Sequence, residues 1–85
     1  MMDTIRRLLQ ENGRLHTPVQ QLSDMDDLYS AGLTPFAAIR TMLALEEAFD
    51  IEFPVGMLRR QSFASIGAVC DCVNQLVTSA QRRAA

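Results

Sequence analysis

Apolar residues recur along this chain at helical spacing. From Asp3 to about Gly13, Ile5, Leu8 and Leu9 fall three and four apart, the repeat of one helix face. Asp3 is a capping residue type for the start and Gly13 a stop, with Arg6, Arg7 and Glu11 on the wet side. The clearest helix is predicted over Pro35 to Phe49. Thr34 suits its N-cap, and Pro35 suits the first turn, where its missing N–H costs nothing. Phe36, Ile39, Met42, Leu43, Leu45 and Phe49 make a wide apolar arc. Such an arc needs cover on more than one side, which puts this helix at the centre. A last helix is predicted over Phe63 to Thr78, with Ser62 as N-cap. Phe63, Ile66, Val69, Cys70, Val73, Leu76 and Val77 line one face of it. Residues 80–85 are expected to fray.

The connections carry weaker signals. His16-Thr17-Pro18 reads as a turn, and Ser23-Asp24-Met25-Asp26 as at most a short helical turn. So long a connection in a small domain should be ordered, here by anchoring Leu22, Met25, Leu28 and Tyr29 in the core. Phe53-Pro54 is a break. Val55 to Arg60 can form one or two turns on Met57 and Leu58, weakened by Gly56. The sum is an all-α four-helix bundle: three main helices, one short helix and a long loop after the first. Phe36, Ile39, Leu43, Leu45, Phe49, Ile66, Val69 and Val73 are expected in one core. Met42, Leu45 and Met57 are either ordinary core residues or the lining of a cleft.

Length changes the picture by limiting it. Eighty-five residues make one domain, 1–85, with an ordered core over about 3–78, and leave little material for a deep active site. Hydrophobic residues at 48% and charged residues at 21% exclude a disordered tail. No apolar run approaches the ~20 residues that span a bilayer. Met1 to Arg7 lacks a secretory leader's order of charge, apolar stretch and small residues, so the cytoplasm is the expected location and no membrane is expected as partner.

The net charge is −2, with 8 basic residues, all Arg, and 10 acidic ones, which argues against nucleic acid. Cys70 and Cys72 point to different sides of a helix and read as free thiols. Neither they nor the single His16 complete a metal site. His16 sits in a turn without a nucleophile at recognisable spacing. Glu46 and Glu47 are adjacent and diverge by about 100°, so they read as a solvated rim rather than an acid/base pair. Gly13, Gly32, Gly56 and Gly67 form no phosphate loop. An enzyme is not expected.

One stretch says more. Asp27-Leu28-Tyr29-Ser30-Ala31-Gly32-Leu33 leads into Thr34-Pro35-Phe36. Then comes Leu43-Ala44-Leu45-Glu46-Glu47-Ala48-Phe49-Asp50-Ile51-Glu52-Phe53-Pro54, and a Ser-Phe-Ala-Ser-Ile run begins at Ser62. This pattern resembles the acyl carrier protein family over about residues 3–78. It looks closest to the small stand-alone bacterial carriers, including those loaded with amino acids by synthetase-like enzymes. The resemblance implies the carrier bundle and a 4'-phosphopantetheine arm on a serine three residues after the glycine, at the head of the second helix. A phosphate there meets the positive end of the helix dipole and free N–H groups.

Here the chain departs from the pattern. Three residues after Gly32 stands Pro35, and the acidic residue usual before the serine is Thr34. Proline keeps the helix start and offers no hydroxyl. Thr34 has one, a residue out of register, and is the weaker alternative attachment point; Ser30 matches no attachment position. The resemblance also implies acidic residues on the second helix, docking basic partner enzymes. In this chain Ala37, Ala38 and Arg40 occupy its first half, and Glu46, Glu47, Asp50 and Glu52 its far end. The expected contact residues are Phe36, Arg40, Glu46, Glu47 and Asp50. Partners are then biosynthetic enzymes, an acyl- or aminoacyl-loading ligase or a paired true carrier, with a monomer as the default. Three readings stay open: a carrier-like module acting through protein contacts without its arm, a working acyl or aminoacyl carrier, and a small helical regulator or adaptor.

Overall fold

The computed structural model describes residues 1–84, with side chains for 1–80. Three α-helices form, α1 (Met2–Asn12), α2 (Pro35–Phe49) and α3 (Ile66–Ala84). Short 3-10 turns at Val19–Gln21, Val55–Met57 and Arg60–Phe63 fill the connections. No strand occurs among the described residues. The protein is all-α, in the expected order. The expected short third helix is realised as two separate 3-10 turns, in keeping with Gly56 in the first of them.

The core is assembled from all three helices and from the loop. Ile5, Leu9, Leu28, Leu45, Ile66, Val69 and Val73 are fully buried. Phe53 and Phe63 join this core as a tilted ring pair with centroids 5.8 Å apart.

Several expectations are corrected. Asp3 does not cap α1: the cap is Met1, and Asp3 lies in the first turn, where its charge faces the helix's positive end. Arg6 is not on the wet side. Its Nη1 donates to the carbonyls of Val19 at 2.9 Å and Leu22 at 3.1 Å, and its Nη2 to Asp24 at 2.7 Å. The long loop is ordered largely by that clasp, by the N–H of Leu28 donating to Ala64 at 2.8 Å and by the N–H of Gly67 donating to Asp24 at 2.8 Å. Met25 is no anchor, being 82% exposed, while Leu28 is buried and Leu22 and Tyr29 pack at the core's edge.

The start of α3 also moves. Ser62 and Phe63 are buried in the last 3-10 turn, and the capping hydroxyl is Ser65, whose Oγ accepts from the N–H of Ala68 at 3.1 Å. The helix extends past Thr78 to Ala84; residue 85 lies outside the described residues.

The largest correction concerns α2. Phe36, Ile39 and Leu43 are exposed, not in the core. Ala37, Ala38, Thr41 and Leu45 face inward instead. At about 100° per residue these two sets lie on opposite sides of the helix. Small residues on the inner side let α2 pack closely, with Thr41 Oγ1 satisfied by donating to the carbonyl of Ala37 at 2.9 Å.

Candidate functional site

The head of α2 is built by local grammar. Thr34 is extended (φ −99°, ψ 161°), and its Oγ1 accepts from the N–H of Ala37 at 3.1 Å, satisfying one of the helix's free donors. Pro35 follows as the first helical residue. The approach is fixed by Gly32, whose φ of 111° belongs to the region glycine favours. A Cβ there would come within 2.6 Å of the His16 ring. The N–H of His16 donates to the carbonyl of Ala31 at 3.0 Å, so the two loops hold each other at the helix entrance. The exposed His16 thus has a structural neighbour.

Beside this head lies an open apolar groove of about 510 Å³. Pro35, Ala38, Ile39 and Met42 form its α2 wall; Tyr29, Leu58, Arg59, Arg60 and Phe63 form the other. Met42 does line a cleft. Leu45 and Met57 do not: Leu45 is core, and Met57 packs at its edge. Leu58 is exposed rather than an anchor. The guanidinium of Arg60 stacks 3.9 Å from the Tyr29 ring centre, and Tyr29 Oη donates to the Arg60 carbonyl at 2.9 Å. Burial pushes the Tyr29 hydroxyl above its ordinary pKa, with Arg60 opposing. At the groove's edge the carboxyl of Asp27 is held below its usual pKa. The Ser30 hydroxyl bonded to it is the main cause, and the N–H of Tyr29 adds to it.

The predicted contact residues divide. Phe36, at 70% exposure, lies with Ile39 and Leu43 on an outward apolar ridge, within about 60° of one another around the axis. Arg40 and Glu47 border that ridge, both exposed. Glu46 departs from the expected rim: it is half-buried, and its Oε2 accepts from the N–H of Phe53 at 2.8 Å. It ties down the segment after α2. Asp50 is exposed and takes the left-handed conformation (φ 54°, ψ 53°) that ends the helix, a role open to Asp and Asn. Sequence reasoning missed Tyr29, Leu58, Arg59 and Arg60 as groove residues. The available signal was the excess of apolar positions on α2, too many for one buried face.

No helix among the described residues is long and apolar enough to cross a membrane. No cluster of three or more His, Cys, Asp or Glu side chains suited to a metal gathers there either.

Comparison with known proteins places this arrangement. Residues 3–73 match the family described as the phosphopantetheine attachment site. The chain belongs to this family. An aminoacyl carrier protein of Agrobacterium fabrum is 52% identical over 77 residues, 91% of this chain and 93% of that one. The fold is likewise similar to that of an Agrobacterium tumefaciens carrier protein. It was crystallised with AMP and an engineered glycine:[carrier protein] ligase from Bradyrhizobium japonicum. Their TM-score is 0.84 at 54% identity, over 87% of this chain and 99% of that one. A solution structure from Agrobacterium tumefaciens aligns with a TM-score of 0.76 and 49% identity, over 96% of this chain and 99% of that one. Carrier proteins are non-catalytic.

Family membership implies a phosphopantetheine group, and the residues at the α2 head can be tested against it. A phosphodiester needs a side-chain oxygen. Pro35 has none, and the oxygen one residue earlier, Thr34 Oγ1, holds the helix cap. The helix terminus suits a phosphate, but residue 35 provides no atom to join it.

Proposed function

We propose that this chain acts as a single carrier-fold domain, docking on an aminoacyl-loading enzyme without a phosphopantetheine arm at residue 35. The supporting observation is the α2 head: Pro35 occupies the first helical position without a hydroxyl, while the Thr34 cap and the exposed face beside it are intact. The carrier relative's structure with a glycine:[carrier protein] ligase supports a loading ligase as the class of partner. That ligase is crystallised with AMP and with ATP, nucleotides of the cytoplasm, where we place the encounter. Contact comes from Phe36, Arg40, Glu47 and Asp50, with the remaining oxygen of Glu46 at the edge of the footprint.

The second reading is a working aminoacyl carrier, favoured by the 52% identical relative of that name. It requires Thr34 to release its cap and accept the arm. Intact-mass measurement separates the two, after incubation with coenzyme A and a broad-range phosphopantetheinyl transferase. The expected result is no gain on the unaltered chain and a gain of one phosphopantetheine on Pro35→Ser. A gain on the unaltered chain overturns the armless reading, and its loss in Thr34→Ala would then place the arm.

A further inference from the structure

The outward side of α2 has a polarity of its own. Ile39 belongs both to the groove wall and to the ridge of Phe36 and Leu43, so groove and ridge form one apolar band. Arginines flank this band at the head of the helix. Arg40 follows Ile39 on the far border of the ridge, and Arg59 and Arg60 line the opposite groove wall. None of the three forms an ion pair among the described residues, where the ion pairs are Arg6–Asp24 and Arg7–Glu11. Asp27 offsets part of the Arg60 charge from the edge. The exposed carboxylates of α2 and its exit, Glu47, Asp50 and Glu52, all lie toward the other end.

We infer that this face docks a protein surface presenting carboxylates around an inserted apolar side chain, with the carboxylates meeting Arg40, Arg59 and Arg60. The inference rests on the docking reading above and specifies the partner's chemistry. Exposed apolar area with a pocket in it is where interface energy concentrates, and a charged rim without ion-pair partners selects the partner's sign and speeds encounter. A basic patch brought against the α2 head would set like charges around a desolvated groove. This inverts the pairing that an acidic second helix would make with a basic enzyme. The occupant is a protein rather than a second copy of this chain, because a copy would bring its own three arginines to the same apolar band.

The test measures binding of the unmodified chain to the Bradyrhizobium glycine:[carrier protein] ligase at low and high salt. The variants are Arg40→Glu, Arg59→Glu and Glu52→Lys. Affinity should fall as salt rises, and each arginine reversal should weaken binding about tenfold. Glu52→Lys, at an exposed carboxylate outside the contact set, should change it less than about threefold. Arginine reversals that leave affinity unchanged, or tighten it, overturn the inference while the docking reading stands.

If the unaltered chain does not bind the ligase at all, the docking reading loses its partner, and a direct probe decides the polarity. Two synthetic amphipathic helical peptides share one leucine stripe, flanked by glutamates in one and lysines in the other. Amide shifts at Ile39, Met42 and Leu43 should be larger with the glutamate peptide. Equal shifts, or a preference for the lysine peptide, overturn the inference. So does a concentration-dependent dimer in sedimentation that Leu43→Asp dissolves.

Discussion

Leu43 and Leu45 stand two residues apart on α2 and have opposite fates. Leu45 is completely buried, whereas Leu43 is 54% exposed. Truncating each to alanine removes the same atoms from different surroundings. At Leu45 the loss of transfer energy is joined by a cavity between α2 and the core, a combination that costs about 3–5 kcal/mol. At Leu43 no enclosed space is left behind and half of the side chain already meets water, so the cost is below about 1 kcal/mol. A domain of this size has roughly 4–13 kcal/mol in total at ~0.05–0.15 kcal/mol per residue. Leu45→Ala therefore removes a large share of it and lowers Tm by roughly 12–40 °C, at ~4–8 °C per kcal/mol. Leu43→Ala should stay within about 8 °C of the parent. Urea unfolding followed by far-UV circular dichroism reads both, with matched slopes confirming that only stability has changed. Equal destabilisation by the two, or a larger effect at Leu43, would refute the assignment of the inner and outer faces of α2.

Two further outcomes follow from polar contacts. Arg6→Ala should cost about 1–3 kcal/mol in thermal melts, because two loop carbonyls lose a charged donor. Asp24→Asn, which touches only the exposed half of the clasp, should cost less than about 1 kcal/mol. Asp27, whose carboxyl is depressed from 3.8 mainly by the Ser30 hydroxyl, contributes stability that is present above the ordinary value. That contribution is lost as pH falls through the lower folded value. Asp27→Asn should therefore flatten the fall in Tm on acidification below pH 3.8 and leave its slope near neutrality unchanged; an acid limb as steep as the parent's would refute the assignment.

What could be read in the sequence follows the range of the interactions. The limits of α2 were legible because Thr34 and Pro35 specify a helix start through bonds to residues within one turn. The buried stripe of Ile66, Val69 and Val73 was legible because its period is local too. The facing of α2 was not. Periodicity registers that Phe36, Ile39 and Leu43 are apolar, and cannot distinguish cover supplied by the same chain from none. Arg6 and Glu46 looked like solvated charges because their acceptor and donor, the Val19 carbonyl and the Phe53 N–H, lie 13 and 7 residues away. The start of α3 slipped from the expected Ser62 to Ser65 because burial of Phe63 against Phe53 holds residues 60–63 in a separate turn. At the candidate site, residue 35 was singled out by counting from Gly32, while the groove's second wall, supplied by Tyr29 and by residues from 58 to 63, depended on how the chain returns.

The division of α2 into two sides also explains why the armless reading can be tested without breaking the fold. Pro35 is exposed at the first helical position, where no intrahelical N–H bond is lost by proline and none is regained by its replacement. Serine is tolerated there, and the gain in unfolded-state freedom costs at most about 1 kcal/mol. The cap bond from Ala37 to Thr34 does not involve residue 35. Pro35→Ser thus adds one oxygen to an otherwise unchanged helix head. A gain of phosphopantetheine in that variant, with a melting temperature within about 8 °C of the parent's, would assign the difference to that oxygen alone. A gain accompanied by a collapse in stability would mean that proline itself holds the α2 entrance and that the scaffold is not independent of residue 35.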